Sequence, residues 1–195
     1  MVCMTARFTL KVEPATTRPA LLLRPWQDSD IAVLVPAHRD EAMRRWLTSA
    51  VEDEDAARTW LADRDAGWAK GTALSWAVET FEAVEAVEAE GAVVGHIGVM
   101  AANPPKSLAT GVGYWTTPAA RGKGIASRCV DAVTDWLFGG QEILSADEIE
   151  LLHTVGNEGS CRVAQKCGYV LESVLAPMPP QFPDAGHRHV RRRPA

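Results

Sequence analysis

The residues with the clearest chemical potential are the six from 121 to 126, Arg121-Gly122-Lys123-Gly124-Ile125-Ala126. Gly122 and Gly124 sit between an extended-looking segment and an apolar-periodic run that begins at Ile125. A helix start leaves backbone N–H groups unpaired and carries roughly +0.5 of a charge. Glycines let a ligand come close to that backbone, so the segment suits an anion such as a pyrophosphate. Arg121 and Lys123 add positive charge beside it. Two other phosphate loops match poorly. The G-x-x-x-x-G-K-[ST] spacing is absent, and Gly122-x-Gly124-x-x-Ser127 lacks the third glycine of a dinucleotide fingerprint. Taken alone, the loop is equally a tight turn at an unoccupied helix start.

Other reactive residue types carry weaker signals. The four cysteines, Cys3, Cys129, Cys161 and Cys167, form no C-x-x-C pair, and no histidine near them completes a zinc pattern. The expectation is reduced thiols and no metal. The acidic run at 52–55 reads as the first turn of a helix, where carboxylates suit the dipole. A net charge of −5 argues against a nucleic-acid partner. The basic tail (Arg188, Arg191, Arg192, Arg193) reads as a solvated chain end.

The elements that must position the loop follow from periodicity. Residues 1–18 read as a loose leader and 19–195 as one domain, which 195 residues with 47% hydrophobic content support. A buried strand is expected at 20–24. A helix capped by Asp28 or Ser29 follows, with Ile31, Leu34 and Val35 on its apolar face. The next helix carries Ala57, Trp60, Leu61, Arg64 and Trp68 at helical spacing and ends near Gly67 and Gly71. Strands are expected at 74–80, 92–100 and 111–117, with the acidic stretch 82–90 as a hairpin tip or short helix and Asn103-Pro104-Pro105 as a break. After the loop, Ile125, Cys129, Val130, Val133, Trp136 and Leu137 form one helical face, ended by Gly139-Gly140. A strand at 148–155, a short helix at 159–167, a strand at 169–175 and an edge strand at 187–192 complete the order. Three consecutive strands followed by alternation describe an α/β (α+β) fold. It has a mixed, mostly antiparallel sheet of about six to seven strands and helices on both faces. No apolar run is long enough for a membrane span, and the first residues lack a secretory core, so a cytoplasmic protein is expected.

The chain resembles the GNAT (Gcn5-related N-acetyltransferase) superfamily. Arg121, Gly124 and Ala126 match its R/Q-x-x-G-x-G/A signature at the start of the central helix. Leu22-Leu23-Arg24-Pro25-Trp26 with Asp30, then Gly113-Tyr114-Trp115, Pro118 and the loop itself look like the branch of ribosomal-protein N-terminal acetyltransferases. Asn157-x-x-Ser160 leading to Lys166-Cys167-Gly168-Tyr169 and Glu172 extends the likeness over about 20–175.

The resemblance implies acetyl-CoA as cosubstrate and a primary amine as acceptor, either a protein N-terminus or a small molecule. It implies splayed central strands, with Trp115 and Thr116 on the strand whose backbone pairs with the pantetheine arm. Backbone amides from Gly122 through Ala126, including Ile125, would hold the pyrophosphate, with Arg121 and Lys123 beside it. Asn157 would bond the cofactor, or cap the next helix, or both. Ser160 would supply the proton to the leaving thiolate, because Ala164 has no hydroxyl where many members carry Tyr; otherwise it caps the helix. The branch often carries Glu where this chain has Gly111, so the base is unassigned among His96, His153, Glu79 and Glu150. No metal, nucleic acid or membrane partner is implied, and a monomer or homodimer is expected. Gly111 and Ala164 leave a catalytically weakened acyl-CoA sensor as the alternative. A nicotinamide or flavin oxidoreductase is a weaker one.

Overall fold

The structure is a computed structural model of the chain. It describes residues 7–194 apart from 17, 49, 82, 85–86, 89–90, 104–108 and 141–142. Cys3, Pro104 and Pro105 therefore lie outside the described residues. Among the described residues the main sheet has eight strands: β1 (Leu10–Val12), β2 (Ala20–Pro25), β3 (Ala73–Phe81), β6 (Ala92–Met100), β7 (Thr110–Thr116), β8 (Glu148–Thr154), β9 (Val170–Leu175) and β10 (Gly186–Arg192). Their order is β1-β2-β3-β6-β7-β8-β10-β9. Every pairing is antiparallel except β7 with β8. Within the acidic stretch, β4 (Ala83–Val84) pairs antiparallel with β5 (Val87–Glu88).

Among the described residues, five α-helices cover the sheet: α1 (Ile31–His38), α2 (Glu41–Trp46), α3 (Glu54–Lys70), α4 (Ile125–Phe138) and α5 (Glu158–Lys166). Alternation along the strands sends neighbours to opposite layers. Val78 joins the layer under α4, with Leu21, Ile97, Ile149, Leu151, Val130, Val133 and Leu137. Ala77 joins the layer under α1 to α3, with Leu34, Val35, Met43, Ala57 and Leu61. Local chemistry sets the helix ends. Asp53 caps α3 through Ala56 N–H at 2.8 Å, and Gly71 stops it in the left-handed region at φ 64°. Among the described residues no helix is long and apolar enough to cross a membrane.

Three expectations are corrected. The sheet has eight strands, not six or seven. The segment taken as a loose leader contains β1, which pairs with β2 while Phe8 packs edge-on to Trp68 at 5.3 Å. The third concerns 187–192, expected at an edge. β10 instead lies between β8 and β9, and β9 is the edge. The proline-rich loop returns the chain to a slot beside β8, where β10 pairs on both sides. Buried pairing on two sides satisfies more backbone groups than an edge position does.

Candidate active site

The parallel strands β7 and β8 pair only at Thr110 with Ile149 and Gly111 with Glu150. Beyond that point they diverge and leave a cleft of about 680 Å³. Its walls are β7 from Val112, β8 from Leu151 to Thr154, and the starts of α4 and α5. Ala42, Met43, Trp46 and Leu47 of the α2 region close another side. Thr117 N–H donates to Val94 O at 2.9 Å, toward β6. Strand alternation then turns the backbone of Trp115 toward β6 as well, and the backbones of Tyr114 and Thr116 toward the gap.

Trp115 and Thr116 both line the cleft. The Trp115 indole is buried, stacked on His96 at 5.8 Å and close to Trp26 at 5.9 Å. Tyr114 points to the opposite layer, against the larger core.

The glycine loop closes one end of the cleft. Gly122 and Gly124 both take left-handed φ angles, 75° and 74°, which favour glycine. Gly124 is the N-cap of α4 and supplies no side-chain cap to the first-turn amides. Those amides belong to Ile125, Ala126 and Ser127, which line the cleft together with Arg121, Gly122 and Gly124. Ser127 Oγ donates to Gly124 O at 3.1 Å, fixing the loop's exit. Lys123 is exposed and is not part of the cleft wall.

Sequence reasoning missed two contributors. Arg18, read as part of the leader, lies over the loop. A Cβ on Gly124 would stand 2.7 Å from its Nη1. Arg128 holds that segment in place by donating to Pro19 O at 2.9 Å and Glu13 O at 2.6 Å. The second is the wall from α2, which no motif flagged.

At the start of α5, Asn157 is the cap: its side chain accepts from Ser160 N–H at 3.1 Å. Ser160 therefore does not fill that role, and its hydroxyl is left to face the cleft wall near Tyr114. The Tyr114 hydroxyl is buried and closes no well-formed hydrogen bond. Burial pushes its pKa up to about 12, opposed by the neighbouring Ser160 hydroxyl, so it stays protonated at neutral pH.

The four residues considered as bases occupy different environments. His96 is buried and its Nδ1 accepts from Trp26 Nε1–H at 3.1 Å. Burial, with Arg64 and His38 nearby, pushes it down to about 3. Glu79 is spent on Arg24 at 2.6 Å and on Gly91 N–H at 2.7 Å. Glu150 pairs with Arg188 at 2.7 Å. His153 alone of the four lines the cleft; burial lowers its pKa, and it stacks on His189.

A family model described as the acetyltransferase (GNAT) domain matches residues 20–170. No curated protein matches the sequence significantly. Among solved structures, RimJ of Mycobacterium smegmatis in complex with CoA-disulfide superposes with a TM-score of 0.72 at 17% identity, covering 89% of this chain and 82% of that one. The Salmonella typhimurium acetyl transferase that modifies the N-terminal serine of the 50S ribosomal protein L7/L12 gives 0.71 at 18% identity, covering 94% and 99%. A GNAT-family acetyltransferase from Bacillus anthracis gives 0.73 at 18% identity, covering 94% and 99%. At these identities the structural likeness speaks for the fold. The family match and the cleft with its glycine loop together establish that the chain belongs to the GNAT acetyltransferase family and is an acetyl-CoA-dependent acyltransferase.

Proposed function

We propose that the chain moves the acetyl group of acetyl-CoA onto the α-amine of a protein N-terminus by direct attack. The single observation that carries this reading is the β7–β8 cleft, with its glycine loop at one end and the α2 wall beside it. In this reading the amides of Gly122 through Ala126 hold the pyrophosphate. Arg18 and Arg121 supply charge, and Lys123 contributes only long-range attraction. The backbones of Tyr114 and Thr116 pair with the pantetheine arm as an added strand would. Asn157 bonds the arm while capping α5.

The reaction is then a transfer between two bound partners. The neutral amine attacks the thioester carbonyl, the C–S bond breaks, and the thiolate takes a proton. Ser160 relays that proton: its hydroxyl gives its own to the sulfur and takes, through water, the one the attacking nitrogen sheds, with the neutral Tyr114 hydroxyl beside it in support. Three of the four candidate bases are committed elsewhere, which favours an acceptor that needs little help. An α-amine, with a pKa near roughly 8, is far easier to deprotonate than a lysine near roughly 10. The activity of the Salmonella neighbour, on an N-terminal serine of a ribosomal protein, supports the same acceptor class and a cytoplasmic setting.

The test is mass spectrometry of acetyl transfer to peptides with free N-termini, N-blocked peptides with a free lysine, and small amines. Acetylation confined to the α-amines is expected. Transfer only to small amines would overturn the acceptor class. Tight CoA binding with no turnover on any of them would favour a sensor.

A further inference from the structure

β10 gathers residues that lie far apart in the chain. His187 stands directly opposite His153 across the β10–β8 pairing, and His189 follows two residues along, on the same face. Cys161 reaches that face from α5, with its Sγ 3.9 Å from His189 Nε2. One donor atom from each of these four side chains lies within 4.8 Å of all the others. The imidazole centroids are 5.2, 5.2 and 5.8 Å apart.

This crowding satisfies few hydrogen bonds. His153 Nε2 and His187 Nδ1 are buried without a partner among the described residues. His189 is 0% exposed, with the Tyr169 backbone beside its ring. A buried polar atom left unpaired costs about 1–3 kcal/mol, so two in one cluster call for a ligand. The rings are also oriented for one. His153 Nδ1 lies 2.8 Å from Thr154 O, which places its proton on Nδ1 and leaves the Nε2 lone pair free. His189 turns its Nε2 toward Cys161. A metal-bound imidazole has this arrangement, with one nitrogen on a backbone carbonyl and the other on the ion.

We propose that His153, Cys161, His187 and His189 form a zinc site that pins α5 to β8 and β10. One thiolate and three imidazoles are a donor set that suits zinc, and four protein donors fill its tetrahedral shell. No position is left open for water or substrate, so the ion is structural. Zn–N bonds of about 2.0–2.1 Å and a Zn–S bond of about 2.3 Å bring the donors to about 3.3–3.7 Å from one another. Small side-chain rotations close the cluster by that amount. Binding forms the Zn–S bond as the thiol proton leaves to solvent. Asn157 and Ser160 lie on the same helix as Cys161, so the ion also fixes the cleft wall. The site itself does not depend on which amine is acetylated.

The experiment uses the full chain without an affinity tag, stripped with a chelator, then titrated with Zn²⁺ alone or Co²⁺ alone. Uptake of one equivalent and a higher melting temperature are expected. The Co²⁺ form should show tetrahedral d–d bands and a thiolate-to-metal charge-transfer band. Cys161→Ser should abolish the charge-transfer band. His187→Ala, at a half-buried position, should weaken Zn²⁺ binding by more than about 100-fold, since even outer-shell changes cost 10–100-fold. Circular dichroism checks that both variants fold, and either one alone suffices if the other does not. Substoichiometric uptake, a Co²⁺ spectrum without the thiolate band, or a band that survives in Cys161→Ser would overturn the site. None of these readouts requires acetyl transfer, so they separate failure of the site from failure of the functional reading.

Discussion

Arg121, at the start of the glycine loop, is ion-paired with Asp40, the residue that caps α2. Asp40 Oδ1 also accepts from Met43 N–H at 3.1 Å. One carboxylate thus joins the wall of the cleft that α2 provides to the loop at its end.

This pair gives a pH dependence. The Arg121 hydrogen bond holds the Asp40 carboxyl below its ordinary value of 3.8. A carboxyl depressed in the folded state stabilises it fully above the unfolded value, and that stability fades as pH falls through the folded one. Asp40→Asn keeps the cap, because Asn caps about as well as Asp, and loses the ion pair. The wild-type chain should melt higher than the variant at pH 7, and the gap should shrink below about pH 4. A gap that stays constant with pH in thermal melts would assign the effect to the cap.

Gly124→Val should weaken CoA binding at least tenfold while leaving the chain folded. A left-handed conformation costs an L-residue about 1–2 kcal/mol, and the new side chain meets Arg18 where the pyrophosphate would lie. Calorimetric titration with CoA and a urea melt read the two effects separately. Unchanged CoA affinity would remove the pyrophosphate from this loop.

Ser160→Ala should lower kcat by about 10–100-fold, at the low end of general-acid contributions, with KM for acetyl-CoA within about twofold. Tyr114→Phe should act in the same direction. The double variant should lose less than the product of the two, because the hydroxyls serve one proton. Full multiplicativity in steady-state kinetics would mean that they act independently.

Arg24→Met should destabilise the fold by about 3–5 kcal/mol. Arg24 bridges Asp30 at 2.8 Å and Glu79 at 2.6 Å, and all three side chains are largely buried. Both carboxylates raise the guanidinium pKa, Asp30 most, so the charge is permanent. Removing it leaves two buried anions. Urea denaturation measures the loss, and a change below about 1 kcal/mol would show the triad to be solvated.

The thiols should divide by environment. Burial pushes Cys129 and Cys167 up to about 12, so neither offers thiolate at neutral pH. In metal-free protein, alkylation followed by peptide mapping should label Cys161 well before these two. Equal labelling of all three in the native state would contradict the burial of Cys129 on α4 and of Cys167 at the end of α5.

The sequence by itself determined what is local. The glycine pair before an apolar-periodic run announced the start of α4, because a helix start is made by adjacent residues. Asp53 and Gly71 likewise marked both ends of α3. Alternation placed β3, β6 and β7, but it could not say which of Tyr114 and Trp115 faced which layer. That depended on the helices covering each face. Tertiary structure alone decided the rest. Arg18 reached the loop only because β1 ties the early chain to the sheet. His187 and His189 meet His153 and Cys161 only because β10 enters between β8 and β9. The local pattern of a strand fixes which residues share a face, but strand order is set by pairing with distant partners. No spacing of cysteine and histidine along the chain could carry that information.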